Sequence, residues 1–123
     1  METSDPRVYT RAMSLAEVIW SCIDQWPEYA RRTIGYQLIR SIDSVSANIS
    51  EGHERYHYGE RRQFMYYSRG SIQESITWIR KAQNRGFIEK EQAEEYVCEL
   101  HTIRRMLNGY IRSLGNKARN RSS

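Results

Sequence analysis

The sequence is short of the residues that punctuate β structure. Two prolines and seven glycines in 123 residues leave too few tight turns for an all-β fold. Period-two alternation of apolar and polar residues is absent throughout. The two cysteines, Cys22 and Cys98, stand far apart and form no metal-type pair, which excludes a disulfide scaffold and makes reduced thiols the expectation. No apolar run approaches the roughly 18 residues of a membrane span. The first ten residues are polar and acidic where a signal peptide needs a basic start and an apolar stretch, so a cytoplasmic location is expected. The length fits one domain.

Lysine is scarce as well: 16 of the 19 cations are arginine, in a chain of net charge +4. Arginine sheds its water more easily than lysine and grips phosphate through a planar fork, so this bias favours interfaces and nucleic acid. A GC-rich genome would produce the same bias. Position is more telling than number. From Leu100 onward there are six cations and no acid, while Glu89, Glu91, Glu94, Glu95 and Glu99 sit just upstream. A helix over this stretch is acidic first and basic last, as its dipole prefers.

Four amphipathic stripes are present. Asp5-Pro6 is a good helix start, and Val8, Ala12, Leu15, Ile19, Cys22 and Trp26 then recur every three or four residues. Pro27 ends that helix or begins the next. The second stripe is Ile34, Leu38, Ile42, Val45 and Ile49, with Gly52 as the expected stop and a polar linker from His53 to Gly59. The third segment spans about Glu60 to Arg85, with Met65, Ser68, Ile72, Ile76 and Ile79 inward and Gly86 ending it. The fourth spans about Glu89 to Leu114, with Ala93, Tyr96, Leu100, Ile103, Leu107, Ile111 and Leu114 inward and a stop at Gly115. The pattern predicts an all-α, up-down-up-down antiparallel four-helix bundle over residues 1–114, followed by a basic, flexible tail over 115–123.

Two helices carry more apolar surface than one core needs. Phe64, Tyr67, Ser71, Trp78 and Ala82 form a second stripe on the third helix, and Trp20 points away from the main stripe of the first. Trp20, Phe64, Tyr67 and Trp78 are therefore expected in a subunit interface, with a broad monomer core as the alternative. Gly35, Ser41, Ser44, Ser46, Ala47 and Ser50 on the second helix would let a neighbouring helix approach closely, within the bundle or between subunits.

His53-Glu54-Arg55-Tyr56-His57 reads H-E-x-x-H, the pattern of zinc peptidases, in which two histidines one helical turn apart bind zinc and the glutamate activates a water. A zinc hydrolase using His53, Glu54 and His57 is thus one reading, with Glu74 as a distant third ligand. Against it, Gly52 and Gly59 bracket the motif, Arg55 beside the metal would oppose a dication, and no third histidine follows at the expected spacing. There is no glycine-rich phosphate loop, serine nucleophile elbow or plausible Cys-His pair, so no catalytic residue, metal or cofactor is expected. Tyr56 and Tyr58 interleave with Arg55, Arg61 and Arg62, a mixture that suits single-stranded nucleic acid.

The run Arg40-Ser41-Ile42, then Ser44 through Gly52 (Ser-Val-Ser-Ala-Asn-Ile-Ser-Glu-Gly), with Arg55 after it, resembles the signature of the bacterial four helix bundle proteins. That family includes proteins encoded in intervening sequences of large-subunit ribosomal RNA genes and the accessory variability determinant of diversity-generating retroelements. The similarity continues through Phe64, Tyr67-Ser68-Arg69-Gly70-Ser71-Ile72, Glu74, Gly86-Phe87-Ile88, Met106-Leu107 and Tyr110-Ile111 to Ser113-Leu114. Asp43 and Ser41 depart from the residues common in relatives. The resemblance implies a homopentameric barrel without catalytic residues. For the retroelement branch it implies a basic surface that binds RNA or DNA and a reverse transcriptase. The expected function is a non-enzymatic accessory protein that holds template and polymerase together. The alternative is an intervening-sequence protein of unknown role. Candidate nucleic-acid contacts are Arg61, Arg62, Arg69, Arg105, Arg112, Lys117, Arg119 and Arg121.

Overall fold

A computed structural model describes residues 6–122, with side chains over residues 7–120; the expected cap at Asp5 lies outside them. The elements are α1 (Pro6–Ile23), α2 (Glu28–Ala30), a π-helical turn (Arg31–Gly35), α3 (Tyr36–His53), α4 (Tyr58–Asn84) and α5 (Lys90–Ser122). The turn joins α2 to α3 without a break, so four rods result. α3 packs on α1 and α4, and α5 packs on α4 and α1, which closes a four-helix bundle.

The stripes read from the sequence are the core. Every position of the second and fourth stripes is buried. In the other two, only Cys22 and Ile76 are half-buried. Trp26 is buried from the loop after α1, packing at 5.4 Å on Phe87 of the opposite loop, so the α1 stripe outlasts its helix. The π turn has a reason in the spacing. Ala30, Ile34, Leu38 and Ile42 recur every four residues, which would drift around a regular helix; a turn closed by i→i+5 bonds absorbs the extra residue and keeps the stripe inward.

Three glycines were expected to stop helices, and one does. Gly86 has φ +85°, and after it Phe87 N–H donates to Ala82 C=O (2.9 Å) while Gly86 N–H donates to Gln83 C=O (3.0 Å), the paired bonds of a Schellman end. Gly52 instead lies within α3, which runs one residue further. A Cβ there would sit 2.9 Å from the Phe64 Cβ and 2.5 Å from the Met65 Cε, so this glycine serves the close approach of α4. Gly115 likewise lies within α5, under the Arg62 guanidinium, and the helix continues to Ser122. The expected flexible tail over 115–123 is thus corrected: its described part extends α5. The linker also shrinks. His53 belongs to α3 and Tyr58 opens α4, leaving only residues 54–57 between them.

Candidate nucleic-acid interface

Helices α4 and α5 meet along an antiparallel seam of regular register. Arg62 rests on Gly115, Arg69 donates to the Asn108 Oδ1 at 2.7 Å, and Arg104 donates to the Gln73 Oε1 at 2.9 Å. A step of seven and then four residues along α4 is matched by the same steps back along α5, which fixes partners that no single-helix pattern reveals. At the far end Arg80 meets Glu94 through two bonds of 3.3 Å, and this contact holds the Glu94 carboxyl below its ordinary range. The near end has no such neutralisation. Among the described residues, Arg62, Arg69 and Arg104 have no carboxylate within ion-pair distance, because their neighbours are a glycine and two amides. Between Arg69 and Arg104 lies a groove of about 380 Å³ lined by Tyr66, Arg69, Gly70, Gln73, Arg104 and Asn108.

Beside the seam runs a second row. Arg105, Arg112 and Arg119 recur every seven residues, within about 40° of one another at 100° per residue, and all three are exposed. Arg105 bonds Thr102, and Arg119 bonds Asn116, neutral partners again. Lys117 lies about 120° from Arg105 on the same helix and is half-buried, so it leaves the row. The Arg121 side chain lies outside the described residues. Arg61 is engaged in the α3–α4 turn: its Nε donates to the Arg55 C=O at 2.6 Å and its guanidinium stacks 5.6 Å from the Tyr58 ring centre. The sequence pattern singled out Arg62, Arg69, Arg105, Arg112 and Arg119; it passed over Arg104, Gln73 and Asn108, whose role depends on the register between helices.

The H-E-x-x-H run does not occupy one helical turn. His53 ends α3, half-buried with its ring 5.6 Å from Tyr110, while His57 is the exposed, extended residue before α4. Burial first, and the Arg61 charge second, hold His53 below its ordinary value near 6.5, and its buried Nε2 has no hydrogen-bond partner. Arg55 is turned to Glu51 at 2.5 Å and lies 4.7 Å over the Phe64 ring. Glu74 is 16 residues along α4 from Tyr58, about 24 Å at 1.5 Å per residue. Among the described residues no three His, Cys, Asp or Glu side chains gather where they could hold a metal ion.

The residues expected at a subunit interface fall on two seams. Trp20, 55% exposed, lines an open groove between α1 and α3 with Ile23, Arg31 and Ile39. Phe64 and Tyr67 pack edge to face at 5.4 Å on the α3 side of α4; Tyr67 is 50% exposed, Phe64 and Trp78 half-buried. The small residues divide too. Gly35, Ser41 and Ser46 are buried inside the bundle, Ser44 is half-buried, and Ala47 and Ser50 are exposed. No helix among the described residues is long and apolar enough to cross a membrane.

Comparison with known proteins agrees with this architecture. One solved structure, a protein of unknown function from the S23 ribosomal protein family of Bacteroides thetaiotaomicron VPI-5482, superposes with a TM-score of 0.76. It is 18% identical, and the match covers 85% of this chain and 97% of that one. No curated protein matches the chain. Residues 4–109 match the family described as 23S rRNA-intervening sequence protein, and the chain therefore belongs to that family.

Proposed function

We propose that the protein is a non-enzymatic RNA-binding module that grips the phosphate backbone through the α4–α5 surface. The observation that supports this is the set of arginines without carboxylate partners among the described residues: Arg62, Arg69 and Arg104 in the seam, and Arg105, Arg112 and Arg119 beside it. Uncompensated guanidinium groups on a rigid helical frame attract polyanions and release their counterions. Phosphate contacts carry little base information, so sequence preference is modest. Family membership favours a role tied to ribosomal RNA intervening sequences; a reverse transcriptase partner, with the protein holding template RNA or cDNA, is the narrower reading. The test is a salt series with structured RNA. Changing Arg105, Arg112 and Arg119 together to glutamine should weaken binding and flatten the log–log salt slope by about 2 to 3, at roughly 0.7 to 0.9 per lost phosphate contact. An intact protein that fails to bind RNA at low salt would overturn the reading.

Assembly into a homopentamer would multiply this surface, to a total near +20, and turn weak contacts into avidity. Support comes from the two exposed apolar seams, one around Trp20 and one around Phe64, Tyr67 and Trp78. A ring requires a heterologous contact between two different patches, and the described residues offer such a pair. Light scattering should give a mass near five chains, and Trp78→Glu should dissociate the ring. A monomer at micromolar concentration removes the assembly.

A further inference from the structure

The groove between Arg69 and Arg104 differs from the surrounding basic surface in being built. Arginines on an open helix face sample many rotamers, but these two are each held by a neutral amide on the opposite helix. Asn108 takes one Nη of Arg69, and Gln73 takes one Nη of Arg104. An amide orients a guanidinium without cancelling its charge, and each fork retains further N–H donors that no described residue uses. Arg69 is fixed a second time by lying 5.0 Å from the centre of the Tyr66 ring. Between them α4 contributes Gly70, and a Cβ built there meets nothing within 4 Å. The missing side chain leaves the middle of the groove open. Its volume, about 380 Å³, falls at the small end of the range for ligand sites.

We propose that this groove is a site for the terminal phosphate monoester of a nucleotide, clamped by Arg69 and Arg104, with the base against the exposed Tyr66 ring. Charge selects the ligand. Two oriented guanidinium groups without a carboxylate match a monoester, which carries about −1.5 to −2 at neutral pH, better than the single charge of a backbone diester. Size agrees, since the groove suits one nucleotide rather than a strand. The ligand is either a free nucleoside monophosphate or the phosphorylated end of an RNA. The site refines the RNA-binding reading but does not need the outer arginine row.

Adenosine 5′-monophosphate, titrated calorimetrically into the intact protein at moderate salt, tests the site. Saturable binding is expected, with adenosine at least tenfold weaker. Gly70→Leu fills the groove without changing charge, and its open Cβ position and helical setting favour folding, which circular dichroism verifies. Gly70→Leu and Arg104→Gln should each weaken the nucleotide tenfold or more, while Arg40→Gln, an exposed arginine on α3, changes it less than twofold. Unaltered affinity in both groove variants, or equal binding of adenosine, overturns the proposal. Paired oligoribonucleotides with a 5′-phosphate or a 5′-hydroxyl identify the source: a fivefold or greater preference for the phosphate assigns the strand end, and equal binding with nucleotide affinity intact assigns the free nucleotide. Loss of RNA binding in the outer-row triple variant with nucleotide binding preserved supports both readings, whereas RNA binding without nucleotide binding overturns this one alone.

Discussion

Toward α3, helix α4 presents Ser68, Ser75 and the backbone opposite Gly52; toward α5 it presents Arg62, Arg69 and Gln73. On the first flank the helices approach closely and polar groups are consumed inside the bundle. Ser68 donates to the Val45 C=O at 2.8 Å, and Ser75 donates to the Ser41 Oγ at 2.9 Å, which in turn bonds the Leu38 C=O. All three serines are buried. On the second flank long side chains bridge the two helices and leave charge facing water. One helix thus holds the bundle together with small residues on one side and offers a binding surface with large ones on the other. Specific packing belongs to the α3 side and recognition to the α5 side.

If that division is right, substitutions on the α3 flank should affect stability and spare nucleic-acid binding. The largest effect is expected from Gly52→Ala. The Met65 Cε could swing aside, but the Phe64 Cβ at 2.9 Å and the Arg61 C=O at 3.3 Å cannot move without the backbone. A loss of about 1–3 kcal/mol is expected in denaturant unfolding, the usual cost of overpacking a close-fitting site. Gly59→Ala is the control, since its Cβ would meet nothing and stability should not fall. Next is Ser75→Ala, which removes one buried hydrogen bond at a cost of about 0.5–1.5 kcal/mol. A double-mutant cycle with Ser41→Ala should show coupling, because the two hydroxyl groups share a single bond. Additive effects would mean that each serine acts alone.

How far this was legible in the sequence follows the same division. Periodicity found the inward faces of all four rods, because apolar residues at three- and four-residue spacing have only one place to go. The same rule could not say why a glycine stood where it did. Gly52, Gly86 and Gly115 look alike in sequence, yet one supplies a positive φ and two admit a neighbouring helix or guanidinium. Nothing in the sequence signals the partner of Ser75; Ser41 across the interface makes the burial of its hydroxyl tolerable. Arg62 and Arg69 were visible as cations of the right kind. Arg104 became their partner only when the antiparallel offset set it against Gln73, a property of two helices together.

Gly70 sharpens the comparison from the α5 side. A glycine in the middle of a helix costs backbone entropy that alanine does not, and here no close contact explains it. Gly70→Ala should stabilise the protein by about 0.5–1 kcal/mol in thermal or chemical unfolding. A decrease would show that the groove is tighter than its geometry indicates and would weaken the contrast between the two flanks.

The smallest expected effect is on pH dependence, at the junction of the two flanks, where His53 ends α3 and faces Tyr110 of α5. Its Nε2 is buried without a partner, and both burial and the Arg61 charge oppose a proton there, while Glu54 pulls weakly the other way. The folded-state value is therefore depressed below the ordinary one near 6.5. Above that pH neither state carries the proton and the histidine has no effect on the balance. As pH falls below it, the unfolded chain binds a proton that the folded chain resists, so stability declines until the folded value is reached and levels off beyond it. The loss therefore opens just below the ordinary histidine value near 6.5. Melting temperatures over pH 5 to 7.5 should fall toward acid in the wild-type protein and fall less in His53→Gln. Parallel curves would mean that water reaches the ring and that the turn between α3 and α4 is looser than its hydrogen bonds indicate.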